Sequence, residues 1–546
     1  MSASVVLLDG RSLSISNLLD IADGQLQVDF SGDVWQSLQS FREGLERQLV
    51  RHPEIQIYGT NVGCGDLKDV TISPEAFENY QIRFIRAHNC GTGKPLPEAV
   101  VRAIMVIRLN SFAKGYSAVR PETCRLMIDM LNRGVTPWVL EEGSVGASGD
   151  LVPLAMIGAV LLGFKEAKAY FHGELMQADE ALAKAGLRPT KLGAKEAMGL
   201  TNGSSFIAGM AAFAFRNALN ILRHASISGA LSLEAIRGEK DAFSDVILES
   251  RPHRGQMAIG KALRALIDGS YRMSADAQKV GFPGQLRETV KERVQDRYSF
   301  RAMPQVHGAF YEALEKLQEV LTIEINSATD NPLFILESGW YIAKSGANFH
   351  GQPLAAVIDY VKMTLTSVTL ITNKRVFAIL DKAQSYGLPQ DLAADPKGGD
   401  TGLMISQYAA SARAAESRIL SFPASVTSIS TAANQEDFVS MGSIGAVHLE
   451  KAIYNAEVVV AVELLCALRS LQMTLDLLPE SLKQLAPSTG KVFTFLNRTL
   501  PPVTQDQYLR TDMEAMITVV RSGSLLHLVP DALASLALGI TVSGSA

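Results

Sequence analysis

Apolar residues recur every three or four positions over much of the chain, which is the spacing of one face of an α-helix. Between residues 35 and 50, for example, Leu38, Phe41, Leu45 and Leu49 follow this spacing. The pattern therefore predicts a mainly α protein with long helices. The same spacing predicts further helices over residues 78–87, 97–110, 206–236, 304–328, 352–380 and 443–475.

Short apolar segments on either side of turn residues predict a few small hairpins between the helices. They are expected at residues 5–15 around Asp9-Gly10, at 168–176 around His172-Gly173 and at 333–343 around Glu337-Ser338-Gly339. We expect three consecutive regions: an N-terminal region with glycine-rich segments, a central long-helix bundle and a C-terminal helical region. Their predicted bounds are 1–202, 203–475 and 476–546.

Composition favours a protein that acts on a small molecule. The chain has 546 residues, of which 47% are hydrophobic, and its formal net charge is −5 with both signs interspersed. A basic stripe of the kind that binds nucleic acid or anionic lipid is therefore not expected. The first nine residues do not resemble a signal peptide, and the apolar run from Leu151 to Phe164 is too short to span a bilayer.

The cysteines do not suggest a metal site or a disulfide framework. Cys64, Cys90, Cys124 and Cys466 lie far apart and form no CxxC pair. Zinc sites and disulfide scaffolds usually show closely spaced or regularly repeated cysteines. The expectation is a cytoplasmic protein without a bound metal.

The stretch from Gly143 to Ala155 contains a segment that can form an electrophile from the chain itself. Its centre is Ala147-Ser148-Gly149. In a tight bend the amide nitrogen of Gly149 can attack the carbonyl carbon of Ala147, since glycine permits the close approach. Loss of water closes a five-membered ring, and loss of the Ser148 hydroxyl as a second water leaves an electron-poor methylidene group.

A second glycine-rich segment carries a candidate base. Three glycines in the nine residues 58–66 predict a loop that can close over a ligand, and the loop begins with Tyr58. A phenol, with a pKa of ~10, acts as a base near neutral pH only when neighbours draw off its proton.

These segments resemble the histidine, phenylalanine and tyrosine ammonia-lyases and their aminomutase relatives. The run from 143 to 155 matches that family's signature almost residue for residue, and five further matches are spread over residues 5–475. The resemblance implies the long-helix bundle of the ammonia-lyase (fumarase/aspartase-like) type. It also implies a methylidene-imidazolone (MIO) group made autocatalytically from Ala147, Ser148 and Gly149. The family's homotetramer builds each active site from more than one chain.

The resemblance also assigns roles to the segments on the amino-terminal side. Tyr58 corresponds to the general base that removes the β-proton. His88 stands where the family contacts the substrate ring, and a histidine there goes with a ring that forms hydrogen bonds. Asn202, in a segment similar to Leu-x-Asn-Gly-Thr, would lie beside the prosthetic group and the substrate carboxylate.

Later segments supply the other implied substrate contacts. In the Gln-Asp-x-Tyr-Ser run, Arg301 would clamp the substrate carboxylate, which a guanidinium can meet with two donors at once. Gln295 and Tyr298 would orient the substrate and the prosthetic group. Phe349 would lie near the prosthetic ring, and Glu416 near the substrate amine and ring.

The chain departs from the histidine enzymes at several positions. Phe438 follows the Asn-Gln-Glu-Asp run, where those enzymes usually carry histidine, and Met156 replaces another common histidine. Val62 and Cys64 replace the usual Thr and Phe of the tyrosine loop, and Ser204 replaces a Thr. Histidine and tyrosine are therefore both retained as substrates.

The implied reaction is elimination of ammonia from an aromatic L-amino acid to give the α,β-unsaturated acid. An α/β-aminomutase remains the main alternative, because it uses the same parts but returns the ammonia to the β-carbon. An inactive relative that serves as a binding protein is the third interpretation. The joint presence of Tyr58, Asn202, Tyr298, Arg301 and the Ala-Ser-Gly triplet disfavours it.

Overall fold

The computed structural model describes residues 4–63, 70–73, 76–147, 149–395 and 398–539. Within this part the chain is mainly helical, with long helices and a few short strands, which confirms the predicted class. The helices are α1 (Ile15–Ala22), α2 (Gly32–Arg51), α3 (Phe77–Ala87), α4 (Glu98–Ala113), α5 (Pro121–Asn132), α6 (Leu151–Leu161), α7 (Ala178–Lys184), α8 (Glu196–Thr201), α9 (Ser205–Ile236), α10 (Asp245–Glu249), α11 (Arg254–Ile267), α12 (Ala275–Gln278), α13 (Tyr298–Arg301), α14 (Met303–Glu324), α15 (Gln352–Leu380), α16 (Met404–Leu420), α17 (Gly442–Thr474), α18 (Pro487–Thr499) and α19 (Leu509–Ser522).

The strands of the described residues form small two- and three-stranded sheets. Strand β1 pairs with β2, β3 with β5, β4 with β6 and β7 in one sheet, and β8 with β9. Their bounds are β1 (Val5–Leu8), β2 (Gln27–Phe30), β3 (Thr92–Pro95), β4 (Val135–Pro137), β5 (Leu140–Glu142), β6 (Lys168–Phe171), β7 (Glu174–Gln177), β8 (Leu333–Glu337) and β9 (Trp340–Lys344).

Two of the predicted hairpins are confirmed. Strands β6 and β7 pair antiparallel across His172-Gly173, and β8 and β9 pair antiparallel across Ser338-Gly339. Both residues of each turn have positive φ. This is the backbone of a type I′ turn, whose twist matches that of the strands it joins.

The predicted amino-terminal hairpin is wrong. Residues 5–8 do form a strand, but it pairs in parallel with β2 rather than with residues 12–15. The Asp9 carboxylate accepts hydrogen bonds from the backbone of Arg11 and Ser12 and turns the chain. The Ser14 hydroxyl then caps α1 by accepting from Asn17 N at 3.0 Å. Such a cap contributes about 1 kcal/mol, and it commits this segment to a helix.

The described chain forms two compact units. The first comprises residues 1–214, 317–359 and 423–447, and the second 215–316, 360–422 and 448–546. The bounds of these units differ from those of the three consecutive regions expected from the sequence, because each unit combines segments that are far apart in the chain. Composition marks breaks along the chain, whereas compactness depends on which distant segments pack together.

In the first unit, helix α4 is almost entirely buried and packs against α1 and α5. Helix α6 packs against α3 and α8. Helices α3, α6 and α8 carry or adjoin His88, the Ala-Ser-Gly triplet and Asn202, respectively. Packing of these three helices against one another therefore brings the three segments together.

In the second unit, polar groups on three long helices meet in the interior. Glu463 of α17 accepts hydrogen bonds from Ser228 and Ser232 of α9 at 2.6 and 2.9 Å. The same carboxylate forms an ion pair with Arg375 of α15, and both side chains are fully buried. A fully buried ion pair thus joins three long helices inside this unit.

Among the described residues, three helical stretches are long and apolar enough to cross a bilayer by length and composition alone. In each of them most of the apolar window is buried inside the protein. The stretches are Glu196–Ile236, Gln352–Leu380 and Gly442–Leu477.

Candidate active site

A cavity of about 1260 Å³ lies within the first unit and is lined entirely by residues of that unit. It brings together segments that are far apart in the sequence. Of the residues predicted to form the site, Tyr58, His88, Ala147, Asn202 and Phe349 line it. Ser148 lies outside the described residues.

The Ala-Ser-Gly segment follows a tight backbone path. Gly146 and Gly149 have φ of +69° and +73°, a region that residues with a side chain rarely adopt. The Asp150 N–H donates to the Gly203 carbonyl at 2.8 Å, which places the segment against the start of α9. Helix α6 begins directly afterwards at Leu151, and Leu151 also lines the cavity.

Residues just before and in α17 clamp the upstream half of this loop. The Gly146 carbonyl accepts from Ser440 Oγ at 2.9 Å, and the Ser144 carbonyl accepts from Ser443 Oγ at 2.6 Å. Met441 N donates to the Val145 carbonyl at 2.9 Å. Consecutive carbonyls are thus held from one side, which fixes the bend that precedes Ala147.

Asp150 is a buried carboxyl group next to the triplet. Its Oδ1 accepts from Ser144 Oγ at 2.8 Å, and its Oδ2 accepts from Ile207 N in the first turn of α9 at 3.1 Å. Burial raises the pKa of Asp150 to about 7, although the hydrogen bonds from Ile207 and Ser144 favour the charged form. A carboxyl group with this pKa can accept or release a proton near neutral pH.

Asn202 offers a hydrogen-bond acceptor to the cavity. Its Nδ2 donates to the Asn331 carbonyl at 3.0 Å. Its Oδ1 is buried and has no hydrogen-bond partner among the residues that the structure describes. A buried unpaired carbonyl costs about 1–3 kcal/mol. A donor group on a ligand would remove this cost.

Buried charges fix the segment that carries Asn202. Lys195 and Asp330, both fully buried, form an ion pair at 2.8 Å across the start of α8. Arg108 donates to the Gly199 carbonyl and, at 3.4 Å, to the Thr329 carbonyl. These contacts join α8 to the segment of residues 329–331, which ends at Asn331.

The tyrosine loop is held at its base by one asparagine. Asn61 Oδ1 accepts from Ile57 N, and Asn61 Nδ2 donates to the Ile55 carbonyl, each at 2.7 Å. Val62 forms an antiparallel bridge with Thr71. Tyr58 is therefore anchored between residues with defined contacts, while Cys64 lies outside the described part of the chain.

His88 ends α3 and has a defined orientation. Its Nδ1 lies 2.7 Å from the Phe84 carbonyl, and its ring stacks on Phe84 with centroids 3.9 Å apart. A carbonyl oxygen can only accept a hydrogen bond, so Nδ1 carries the proton and donates it. In the neutral ring Nε2 is then an acceptor.

The Asn-Gln-Glu-Asp run forms another wall of the cavity. Glu436 pairs with Thr431 through the backbone, and its carboxylate accepts from Thr431 Oγ1 at 2.7 Å. Ala432, Ala433 and Asn434 all have positive φ and form a tight turn between the paired residues Thr431 and Glu436. Glu436 faces the cavity, and sequence reasoning gave it no role. The resemblance of this run to the histidine enzymes was the signal that could have identified it.

Phe438 completes this wall together with His350. Their rings lie nearly parallel with centroids 5.9 Å apart. His350 Nδ1 accepts from Gln352 N at 3.3 Å, so its Nε2 carries the proton and donates to the Phe438 carbonyl at 3.2 Å. An aromatic pair therefore stands at the position where histidine was the residue expected of a histidine enzyme.

The remaining predicted site residues belong to the second unit. Tyr298 and Arg301 lie on the single turn α13, with the Arg301 guanidinium 4.7 Å from the Tyr298 ring centroid. Tyr298 is 74% exposed and Gln295 is also exposed. Glu416 lies on α16 and forms ion pairs with Lys451 at 2.6 Å and Arg413 at 3.1 Å. The hydrogen bond from Lys451 lowers the pKa of the Glu416 carboxyl.

Within the described ranges, no group of three or more His, Cys, Asp or Glu side chains could hold a metal ion. The polar groups that line the cavity include a phenol, an imidazole, an amide and carboxylates. Such groups can bind polar molecules and transfer protons. The arrangement therefore suits acid–base chemistry on a small polar molecule.

Comparison with known proteins agrees with the family resemblance of the sequence. The sequence profile of the family "Aromatic amino acid lyase" matches residues 13–497. A histidine ammonia-lyase from Caldanaerobacter subterraneus subsp. tengcongensis is 37% identical over 521 residues, which are 95% of this chain and 97% of that protein.

Two solved structures show the same fold over nearly the whole chain. Histidine ammonia-lyase from Trypanosoma cruzi has a TM-score of 0.84 at 30% identity, covering 98% of this chain and 97% of the other. Tyrosine aminomutase from Streptomyces globisporus has a TM-score of 0.86 at 31% identity, covering 97% and 98%. The predicted ammonia-lyase type of helical fold is thereby confirmed. The protein is a carbon–nitrogen lyase that belongs to the aromatic amino acid lyase family.

Proposed function

We propose that the protein eliminates ammonia from an aromatic L-amino acid whose ring forms hydrogen bonds, L-histidine or L-tyrosine, to give the α,β-unsaturated acid. The observation that carries the proposal is the cavity in which Tyr58, His88, Ala147 and Asn202 meet. It contains a candidate base, a ring partner and a polar group beside the Ala-Ser-Gly segment. The identity of 37% to a histidine ammonia-lyase supports histidine as the first substrate to test.

The residues at the triplet fit the family's prosthetic group. Positive φ at Gly149 and the glycine that faces it, Gly203, allow a compact ring where a side chain could not fit. The unpaired Asn202 Oδ1 provides an acceptor beside it. Formed from Ala147, Ser148 and Gly149, the group would supply an electron-poor carbon that favours departure of ammonia.

The side chains around the cavity then divide the remaining work. Tyr58 takes the β-proton. The acceptor Nε2 of His88 binds an N–H or O–H on the substrate ring, which an unsubstituted phenyl ring does not offer. Glu436 provides a carboxylate for the substrate ammonium or ring, and we propose it for the role first given to Glu416.

The carboxylate clamp is proposed to come from another copy of the chain. Tyr298 is 74% exposed on the turn of the second unit that also carries Arg301, and the neighbouring Val294 is 98% exposed. Tyr and Arg are enriched in protein–protein interfaces, and a guanidinium can hold a carboxylate with two donors. In a homotetramer, Arg301 and Gln295 of one copy would complete the cavity of its neighbour.

Formation of a β-amino acid is the second candidate outcome. The likeness to tyrosine aminomutase, at a TM-score of 0.86, favours it. An aminomutase must hold the unsaturated acid and the ammonia together until they recombine. The products of the reaction therefore distinguish the two outcomes.

Purified protein should be incubated separately with L-histidine, L-tyrosine and L-phenylalanine, followed by ultraviolet and mass analysis. The proposal expects urocanate or coumarate, and an intact mass lower by two waters than the sequence requires. The Ser148→Ala variant should keep its full mass and lose activity. The His88→Phe variant should lose about tenfold or more in kcat/KM for the preferred substrate, since the ring then lacks its partner.

Either of two results would overturn the proposal. Wild-type protein that keeps its full mass would show that the prosthetic group does not form. Accumulation of a β-amino acid without release of ammonia would establish the mutase instead.

A further inference from the structure

The turn that carries Tyr298 and Arg301 has one buried and one exposed side. Phe300 is 1% exposed and anchors the turn in the core of the second unit, whereas Tyr298 is 74% exposed. Arg301 stacks over the Tyr298 ring at 4.7 Å. The turn is only four residues long, and helices this short are marginal on their own, so contacts from outside the turn help to hold it.

A buried arginine holds the backbone of this turn from inside. Arg375 Nη1 donates to the Ser299 carbonyl at 3.1 Å. Its Nε and Nη2 form a two-point ion pair with Glu463, in which Nη2 lies 3.0 Å from Oε2. Nη2 also donates to Thr372 Oγ1 at 3.0 Å. One guanidinium thus connects a fixed carboxylate to the backbone between Tyr298 and Phe300.

The carboxylate at the other end of this connection is itself fixed. Glu463 accepts from Ser228 Oγ and Ser232 Oγ in addition to Arg375, and it is fully buried. Helix α9 lies close to Met303 of α14 because residue 229 is glycine. A Cβ there would lie 2.4 Å from Met303 Sδ and 3.7 Å from Arg375 Nη2. Glycine at this position therefore lets Met303 pack closely against α9 beside the ion pair.

Burial of an ion pair is weak support for stability, because the cost of removing both charges from water is comparable to their attraction. Well-packed apolar residues could fill the same space. What apolar residues could not do is donate a charge-assisted hydrogen bond to the Ser299 carbonyl in a fixed direction. The arrangement therefore fits a positioning role better than a purely stabilising one.

We propose that Arg375, held by Glu463, is a positioning residue that fixes the Tyr298–Arg301 turn for binding of the substrate carboxylate. The inference rests on the proposed function, in which Arg301 is the carboxylate clamp. It adds to that proposed site a residue that lies outside the Tyr298–Arg301 turn. Arg375 touches neither substrate nor prosthetic group and acts only through the backbone of the turn.

The Arg375→Lys variant separates positioning from stability. Its single ammonium group can pair with Glu463, so the buried carboxylate keeps a counter-charge. It cannot also reach the Ser299 carbonyl with the fixed fork of a guanidinium. The matched control is Arg469→Lys, since Arg469 also joins a carboxylate, Asp512 at 2.8 Å, to a backbone carbonyl, that of Pro501 at 2.6 Å.

The readout compares ligands with and without a carboxylate. In Arg375→Lys the KM for the amino acid and the inhibition constant of the unsaturated acid should each rise about tenfold, with kcat changed by less than about threefold. The inhibition constant of the decarboxylated amine should stay within about twofold. All three values should remain at wild-type levels in Arg469→Lys.

A uniform rise for both kinds of inhibitor, or values equal to those of Arg469→Lys, would overturn the proposal. If Arg375→Lys does not fold, Glu463→Asp provides the same test. It keeps the charge but shortens the side chain, which draws the guanidinium away from Ser299, and the same selective rise is expected. Failure of the proposed function would be recognised separately, because wild-type protein would then release no ammonia from any of the three amino acids.

Discussion

Gly149 and Gly203 are in such close contact that a Cβ atom at position 149 would lie 2.0 Å from the Gly203 nitrogen. Gly149→Ala therefore adds a backbone clash to the strain of an alanine at φ +73°. We expect this variant to keep its full mass, without loss of two waters. The amide nitrogen of residue 149 and the carbonyl carbon of Ala147 would no longer reach the distance needed to close the ring. Intact mass spectrometry of the purified variant is the measurement.

Gly115→Ala is the matched control for this substitution. Gly115 has φ +81°, and a Cβ there would meet nothing within 4 Å. It carries only the conformational cost of about 1–2 kcal/mol. The Gly115 variant should lose two waters as the wild type does. Full mass in both variants would mean that a general loss of stability, rather than the contact with Gly203, prevents formation of the ring.

The buried carboxyl of Asp150 predicts a pH dependence of stability. Its pKa in the folded protein is about 7, above the usual value of 3.8. The folded state therefore retains a proton that the unfolded state releases, and stability falls as pH rises from about 4 to about 7. The contribution is at most about 4 kcal/mol over this range. Asp150→Asn removes it.

Chemical denaturation of both proteins at several pH values from 4 to 8 tests this. The free energy of unfolding of the wild type, relative to that of Asp150→Asn, should decrease as pH rises through this window and be constant above it. Parallel curves for the two proteins would show that Asp150 titrates as it does in the unfolded chain.

Much of the fold was predictable because helical periodicity is a local property. The bounds of α15 and of both confirmed hairpins follow from apolar spacing and from turn residues that favour positive φ. The amino-terminal strand was assigned the wrong partner, because a parallel pair is made by a residue range beyond the next helix. Local pattern identifies a strand but not a distant partner.

The site was predictable only where a motif is contiguous. The Ala-Ser-Gly segment, Tyr58 and Asn202 could be identified from their own neighbours. Glu436 could not be distinguished from Glu416 in this way, since each glutamate lies in a segment that resembles the family. The fold separates them: Glu436 lines the cavity, whereas Glu416 pairs with Lys451 and Arg413.

Substitution of these two glutamates gives a direct test of their roles. Glu436→Gln should lower kcat/KM by about tenfold or more, because a charged contact to the substrate is worth about 1.5–3 kcal/mol. Glu416→Gln should change kcat/KM by less than about threefold, since a partly exposed ion pair contributes little. Steady-state kinetics with the preferred amino acid is the measurement. The opposite ranking would return the substrate role to Glu416.

Helix α16 has an exposed apolar face. Ile405, Tyr408 and Ile419 are exposed, and their spacing places them on one face of α16, opposite buried Ala410 and Ala414. An exposed apolar face of this kind is typical of an interface. We propose that it is covered by another copy of the chain in the expected homotetramer.

The double variant Tyr408→Asp/Ile419→Asp should therefore lower the molar mass measured by light scattering, because each buried side chain contributes about 2 kcal/mol per interface. Leu175→Asp is the control, since Leu175 is also apolar and exposed but lies on β7, away from α16 in the sequence. If Arg301 of one copy serves the cavity of another, activity of the double variant should fall with its mass and recover at high protein concentration. Dissociated protein with undiminished kcat/KM would show that each chain builds its site alone.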